Sequence, residues 1–159
     1  MKRLLNPALI ALLALSTFAV AQSALAHDAS GQPDHLTLTV GVKGYSPVSY
    51  FTVGQAEPGS PLHTAEHEGV TYFLTSAEQV ATFNADPAKY APAYGGYCAF
   101  GAAVEDHFDA DPKTFKIVDG RLMLFLRNAE VNALDLWNDK DEAELVQKAD
   151  AFWAETHGG

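Results

Sequence analysis

Cysteine is nearly absent from this chain. Among 159 residues the single cysteine is Cys98, so no disulfide can form within the chain. Three fates are open to this thiol: burial as a small apolar residue, a bond to another molecule, or a reactive or metal-binding role.

Basic residues are also scarce. The sequence has 10 Lys and Arg against 20 Asp and Glu, and its formal net charge is −10. Nucleic acids and anionic lipids bind through basic patches. The composition therefore argues against nucleic acid and anionic lipid as partners. It weakly favours cations, although acidic surfaces most often serve solubility.

Signatures of catalysis are lacking. No Gly-x-Ser-x-Gly elbow, phosphate loop or dinucleotide fingerprint occurs in the sequence. Only Cys98 with a histidine would supply a nucleophile and base, and no orienting residue is evident beside them. We therefore expect no enzyme, and a thiol-dependent redox protein is the remaining alternative of that kind.

Long apolar runs are confined to the N-terminus. Lys2 and Arg3 precede an apolar run at 8–21, and the triplet ALA at 24–26 has the small-x-small pattern of a signal peptidase site. This pattern predicts a signal peptide over residues 1–26 and no membrane span after cleavage. We expect a protein of the bacterial periplasm, or a secreted one.

The residues after the predicted cleavage site are small and polar. They predict a flexible N-terminal tail over residues 27–34. Cleavage would make His27 the N-terminus, where its amine and one ring nitrogen can chelate a copper ion. An ordinary tail residue is the favoured interpretation of His27.

Two stretches have the pattern of β-hairpins. The runs LHTAEHEGVTYFL (62–74) and TFKIVDGRLMLFL (114–126) each place an acidic residue and a glycine, at 68–69 and 119–120, between two strand-like segments. Such dipeptides are typical of tight hairpin turns. An alternating stretch at 35–44 predicts a further strand.

Helices are predicted between and after the hairpins. Ser76 with Gln79 fits a capping box for a helix over about 77–85. Two C-terminal helices are expected, one capped by Asn128 and one beginning at Asp139.

A short internal echo predicts two single helical turns. NADPAKY (84–90) and DADPKTF (109–115) each have an aspartate before proline, which can cap one turn. All these elements together indicate an α+β fold: a small antiparallel sheet built from hairpins, packed by a short central helix and C-terminal helices. They form a single domain over residues 35–157 with a C-terminal helical extension.

Histidines supply the candidate partners of the thiol. His63 and His67 lie on one face of a predicted strand, because their spacing is even. With Cys98 they would make a site of two nitrogens and one sulfur, which suits copper or zinc. His107, in the acidic stretch at 105–112, is a further candidate. As solvated residues these histidines need no functional explanation.

The glycines before the cysteine permit two interpretations. Gly95 and Gly96 allow positive φ and a close approach to the backbone, as a binding pocket requires. They fit equally a tight turn leading into a buried helix through Ala99 and Ala102.

The stretch from 43 to 101 resembles the YHS domain, and specifically its exported single-domain branch. The matching segments are KGYSPVSYF, HTAEHEGVTYFLTSAEQVATFNADPAKYAP and YGGYCAFG. The resemblance implies a heavy-metal role, since many YHS domains are linked to metal handling. The family is named after a Tyr-His-Ser triplet, of which this sequence keeps only His63. The cysteines that usually follow the Tyr-Phe strand are absent from 72–78.

The leading hypothesis from the sequence is a periplasmic YHS-domain protein that binds or handles a metal, copper first and zinc as the alternative. Cys98 and His63 are the expected ligands, and His67 or His107 would complete the site. The first alternative is a non-metal interaction module for a small molecule or a periplasmic protein partner. Its predicted pocket consists of Tyr45, Tyr50, Tyr72, Tyr94, Gly95, Gly96 and Tyr97.

Overall fold

The computed structural model describes residues 39–157. The predicted signal peptide, the tail with His27 and the first part of the strand predicted at 35–44 lie outside these residues. Within them, none of the helices is long and apolar enough to cross a membrane.

The predicted α+β class is confirmed, with the strands arranged as two antiparallel hairpins. The strands are β1 (Ser60–His67), β2 (Val70–Leu74), β3 (Asp111–Val118) and β4 (Arg121–Phe125). The helices are α1 (Ser49–Thr52), α2 (Ala77–Ala85), α3 (Pro87–Tyr90), α4 (Ala99–Ala103), α5 (Ala133–Asn138) and α6 (Glu142–His157). The hairpins form two separate two-stranded sheets, β1-β2 and β3-β4.

Both hairpins close through the turns that the sequence predicts. Glu68 and Gly69 have φ of 50° and 75°, and Asp119 and Gly120 have φ of 49° and 75°. Two consecutive positive φ angles define the type I′ turn, whose twist matches that of the strands.

The described chain contains the same arrangement of elements twice. A short turn, a short helix, a hairpin and a helix follow one another from Gly41 to Ala85, and again from Ala93 to Asn138. We call the two opening segments the first turn (Gly41–Gly44) and the second turn (Ala93–Gly96).

The two hairpins also agree in register. Ser60 pairs with Leu74 as Asp111 pairs with Phe125, and each register then shifts at a bulge. A bulge bends its strand and re-aims the side chains. The repeat is therefore one of backbone structure. The sequence echo between 84–90 and 109–115 does not coincide with equivalent positions of this repeat.

That echo gives only one helical turn. Asp86 caps α3, where its carboxylate accepts a hydrogen bond from the amide of Lys89. Asp111 instead begins strand β3 and accepts hydrogen bonds from the Lys113 amide and the Thr114 hydroxyl. The prediction of a second turn is wrong, because strand pairing of Asp111 with β4 overrides the local capping preference.

Three further elements differ in detail from the sequence prediction. Residues 41–44 form a turn, not the end of an extended strand. Helix α5 is capped by Asn132, while Asn128 accepts the amides of Glu130 and Val131 in the preceding loop. Helix α6 begins at Glu142, and Asp141 rather than Asp139 accepts an amide of its first turn. The capping box at Ser76 is confirmed, because its side chain accepts the amide of Gln79.

Strand β4 separates two apolar clusters. Leu122 and Leu124 face the cluster of the first half, which contains Tyr72 and Phe83. Met123 and Phe125 face the cluster of the second half, which contains Cys98, Trp137 and part of α6. Successive side chains of a strand point to opposite faces, so one buried strand serves both clusters.

Candidate functional site

The first and second turns are left-handed. Val42 and Lys43 have φ of 50° and 51°, and Tyr94 and Gly95 have φ of 53° and 58°. A left-handed conformation costs a residue with a side chain roughly 1–2 kcal/mol, and a β-branched residue such as valine is a clear outlier there. Tertiary contacts must therefore impose these turns on the chain.

Backbone hydrogen bonds hold the first turn. The Tyr45 amide closes it by donating to the Val42 carbonyl at 3.0 Å. The carbonyl of Gly44 accepts the amide of Gly59 at 2.8 Å, which ties the turn to the start of β1. On the other side, the amide of Thr71 donates to the Thr39 carbonyl at 2.9 Å, so β2 fixes the segment that leads into the turn.

The second turn is held by side chains of β4 and α6. The hydroxyl of Tyr94 donates to Asp150 Oδ1 at 2.9 Å, and Arg121 donates to both oxygens of the same carboxylate. Burial, followed by the hydrogen bond to Asp150, raises the pKa of Tyr94. A Cβ on Gly95 would lie 2.9 Å from the ring of Trp153, so a side chain here would have to displace the indole, and φ of +58° also favours glycine.

The two turns border one cavity of about 220 Å³. Its lining is drawn from both halves of the repeat and consists of Thr39, Val40, Gly41, Val42, Lys43, Val70, Tyr72, Pro92, Gly95, Gly96, Tyr97, Asp109, Ala110, Pro112 and Leu124. Its walls are of mixed polarity, and Lys43 and Asp109 bring a positive and a negative charge to it.

Tyr72 forms a wall with a fixed position. Its ring packs against Phe83 at 5.0 Å between centroids, and a Cβ on Gly41 would lie only 2.3 Å from the ring. Burial, and after it the charge of Glu68, raises the pKa of the Tyr72 hydroxyl. The phenol is therefore neutral at physiological pH and can donate or accept a hydrogen bond.

Lys43 and Asp109 form an ion pair beside the cavity. The distance from Lys43 Nζ to Asp109 Oδ2 is 2.7 Å, and both side chains are largely exposed. An exposed pair of this kind contributes little to stability. Its charges are therefore available to a ligand at low energetic cost.

Four of the seven residues of the predicted pocket line this cavity: Tyr72, Gly95, Gly96 and Tyr97. Tyr94 lines an adjoining groove together with Gly95 and Trp153.

Tyr45 and Tyr50 do not line the cavity. Tyr50 is buried, and its hydroxyl donates to the Pro112 carbonyl while its ring packs on Phe115. Burial is the main reason that the pKa of Tyr50 is raised. Tyr45 packs against the apolar cluster of the first half.

The sequence did not indicate that the first turn, Asp109 or Pro112 belongs to a site. The one local signal is that Gly44-Tyr45 and Gly96-Tyr97 are the same dipeptide, each placed at the end of a left-handed turn.

Cys98 is fully buried at the start of α4, with 0% exposure. Its Sγ accepts the amide of Gly101 at 3.4 Å, and its own amide donates to the Phe108 carbonyl at 2.9 Å. The surrounding side chains include Ala99, Ala102 and Met123. The thiol acts here as a helix cap and as part of the core.

The three candidate histidines lie in different surroundings. His63 is half-buried at the bulge of β1. His67 ends β1, with its Nε2 3.9 Å from a carboxylate oxygen of Glu68. His107 is exposed on the loop after α4, against the ring of Tyr97. Within residues 39–157, no three His, Cys, Asp or Glu side chains are grouped so that they could hold a metal ion.

The burial of Cys98 leads to a testable expectation about its reactivity. A thiol reagent should label the folded protein on the order of 1,000-fold more slowly than the protein in urea, because labelling requires local opening. Absorbance of the released thiolate of Ellman's reagent measures both rates. Equal rates would show an accessible thiol and would revive the thiol-dependent redox alternative.

Comparison with known proteins gives no match among family models, curated proteins or solved structures. The resemblance to the YHS domain stays a prediction from the sequence.

Proposed function

We propose that this domain is a non-catalytic binding module for a small molecule, with its site in the cavity between the two left-handed turns. The observation that supports this most is the strained backbone on both sides of one cavity. Residues kept in unfavourable φ and ψ regions concentrate at ligand clamps and active sites. Both halves of the repeat contribute such a turn to the same place.

The lining indicates the chemical class of the ligand. Tyr72, Pro92 and Leu124 offer apolar surface, and Lys43 with Asp109 offers one charge of each sign. The volume is below the range of roughly 300–1,000 Å³ that is typical of drug-sized ligands. The proposed ligand is therefore a small zwitterion or acid with an apolar body, of the size of an amino acid.

The lining residues support a binding role over a catalytic one. They include no cysteine, histidine or serine, and the two charged residues among them, Lys43 and Asp109, are paired with each other at 2.7 Å. Given the predicted signal peptide at 1–26, we propose that the module works in the periplasm or outside the cell.

Copper or zinc handling through Cys98, His63, His67 and His107 has less support. The sulfur would have to leave the apolar cluster before an imidazole could reach it, because its exposure is 0%. This hypothesis stays a prediction that metal analysis of the purified protein and of Cys98→Ala can test.

The binding proposal is tested by filling the cavity. Val70 is half-buried and lines it, so Val70→Phe should weaken ligand binding by tenfold or more. The experiment screens amino acids and small aromatic acids by ligand-observed NMR, and then measures affinity by calorimetry.

A matched control makes the same change elsewhere. Val53 is 54% exposed and is not part of the cavity lining, so Val53→Phe should bind as the unaltered protein does. If no compound of these classes binds at millimolar concentration, or if Val70→Phe and Val53→Phe bind equally well, the proposed function is wrong.

A further inference from the structure

A second group of side chains able to bind a ligand includes His107, which packs against Tyr97 and is not among the residues lining the cavity. His107 on the loop after α4 and His157 at the end of α6 have ring centroids 5.3 Å apart. Trp153, one helical turn before His157, stacks on its ring at 3.6 Å with an interplanar angle of 11°. Both histidines are exposed, so an ion from solvent can reach them.

The separation of the two rings fits a shared metal ion. An imidazole nitrogen ligates zinc or copper at about 2.0–2.1 Å, which places the ring centre about 3.2 Å from the metal. By the same geometry, two such rings have centres about 5.2 Å apart at a tetrahedral angle and about 4.5 Å apart at the 90° angle of tetragonal copper(II). The observed 5.3 Å is close to the first of these separations, and rotation of the two exposed side chains would bring one nitrogen of each ring to the ion.

The hydrogen bonds of Thr156 favour one tautomer of His157. The Thr156 hydroxyl donates its one proton to the Phe152 carbonyl at 2.8 Å. Its oxygen also lies 2.7 Å from His157 Nδ1, and in this arrangement Nδ1 carries the proton and donates to that oxygen. This leaves the lone pair of Nε2 free, which is the arrangement that metal-binding histidines usually have.

We infer that His107 and His157 form a two-imidazole site for a divalent transition-metal ion. Copper(II) is the favoured ion, because it binds nitrogen donors most tightly among the divalent first-row metals. The C-terminus of the 16-residue helix α6 and the net charge of −10 both favour a cation at this place. Since the described residues offer no group of three donors, water or an external ligand takes the other positions.

This site differs from the cysteine-centred one predicted from the sequence and does not rest on the proposed small-molecule cavity. Of the earlier candidate ligands it uses only His107. His157 enters because the fold brings the end of α6 against the loop after α4.

The experiment titrates copper(II) sulfate into the protein in a non-coordinating buffer and follows tryptophan fluorescence. Copper bound at His157 should quench Trp153, which is in stacking contact with that ring. Zinc should compete without quenching. Electron paramagnetic resonance at one equivalent of copper should show couplings to two imidazole nitrogens.

Variants separate this site from other copper ligands. His107→Ala and His157→Ala should each raise the copper concentration at half-maximal quenching by tenfold or more. His63→Ala should leave that concentration unchanged. Thr156→Val keeps both rings but removes the acceptor of Nδ1, and it should weaken binding several-fold. All variants share one N-terminus, so copper bound there is a constant background.

Two results would overturn the inference. One is quenching by copper that is the same in His157→Ala as in His63→Ala. The other is a resonance spectrum of the unaltered protein with one imidazole nitrogen or none. Circular dichroism confirms that the variants are folded, which is expected because both histidines are exposed.

Discussion

Gly59→Ala should lower the free energy of unfolding by about 3 kcal/mol, the upper part of the range for overpacked sites. A Cβ at this position would lie 2.4 Å from the carbonyl oxygen of Phe73. That oxygen belongs to the backbone of β2, so no side-chain rotation can relieve the clash. The hairpin would have to open, and the hydrogen bond from Gly59 to Gly44 would weaken with it.

Gly54→Ala is the matched control for this change. Gly54 has φ of +68°, and an added Cβ would meet nothing within 4 Å. Only the left-handed conformation then opposes alanine, at a cost of about 1 kcal/mol. Urea denaturation followed by circular dichroism measures both. Equal losses would mean that the backbone of β2 does not approach Gly59 as described.

Phe83→Ala should cost about 3–5 kcal/mol, as large-to-small changes of buried aromatic residues do. Phe83 is 0% exposed, and its ring lies against Tyr72 and Tyr90. The substitution would remove the ring that packs against Tyr72, so Tyr72 would no longer be held in its position at the cavity. We therefore expect ligand affinity to fall together with stability, measured by urea denaturation and calorimetry.

The same substitution at an exposed phenylalanine serves as its control. Phe108 is 38% exposed and packs over Gly101, so Phe108→Ala should cost about 1 kcal/mol. Its ligand affinity should be unchanged. If Phe83→Ala is no more destabilising than Phe108→Ala, Phe83 is not at the centre of the first cluster.

The parts of the fold that could be predicted depend on local chemistry. The turns at 68–69 and 119–120 and the cap at Ser76 each need only neighbouring residues, and all three are confirmed. The helix start at Asn132 could not be chosen over Asn128 from the sequence. Both side chains can cap, and only the folded loop decides which one does.

The left-handed turn at Val42 and Lys43 could not be predicted, because both residue types disfavour that conformation. The contacts that impose it come from Gly59 and Thr71, which are distant in sequence.

The candidate site also has parts with a local sequence signal and parts that depend on contacts between distant residues. Gly95 and Gly96 signalled a close approach of groups to the backbone, and both line the cavity. Asp109 reaches Lys43 only because the two halves of the repeat meet, which no spacing in the sequence reveals. The burial of Cys98 likewise depends on α6 and β4, far from it in sequence.

The most direct test of the cavity as a binding site is chemical-shift mapping of backbone amides with the tightest ligand from the NMR screen. The largest shifts are expected at 41–43 and 95–96, the parts of the two left-handed turns that line the cavity. Largest shifts elsewhere, with both turns unchanged, would contradict it.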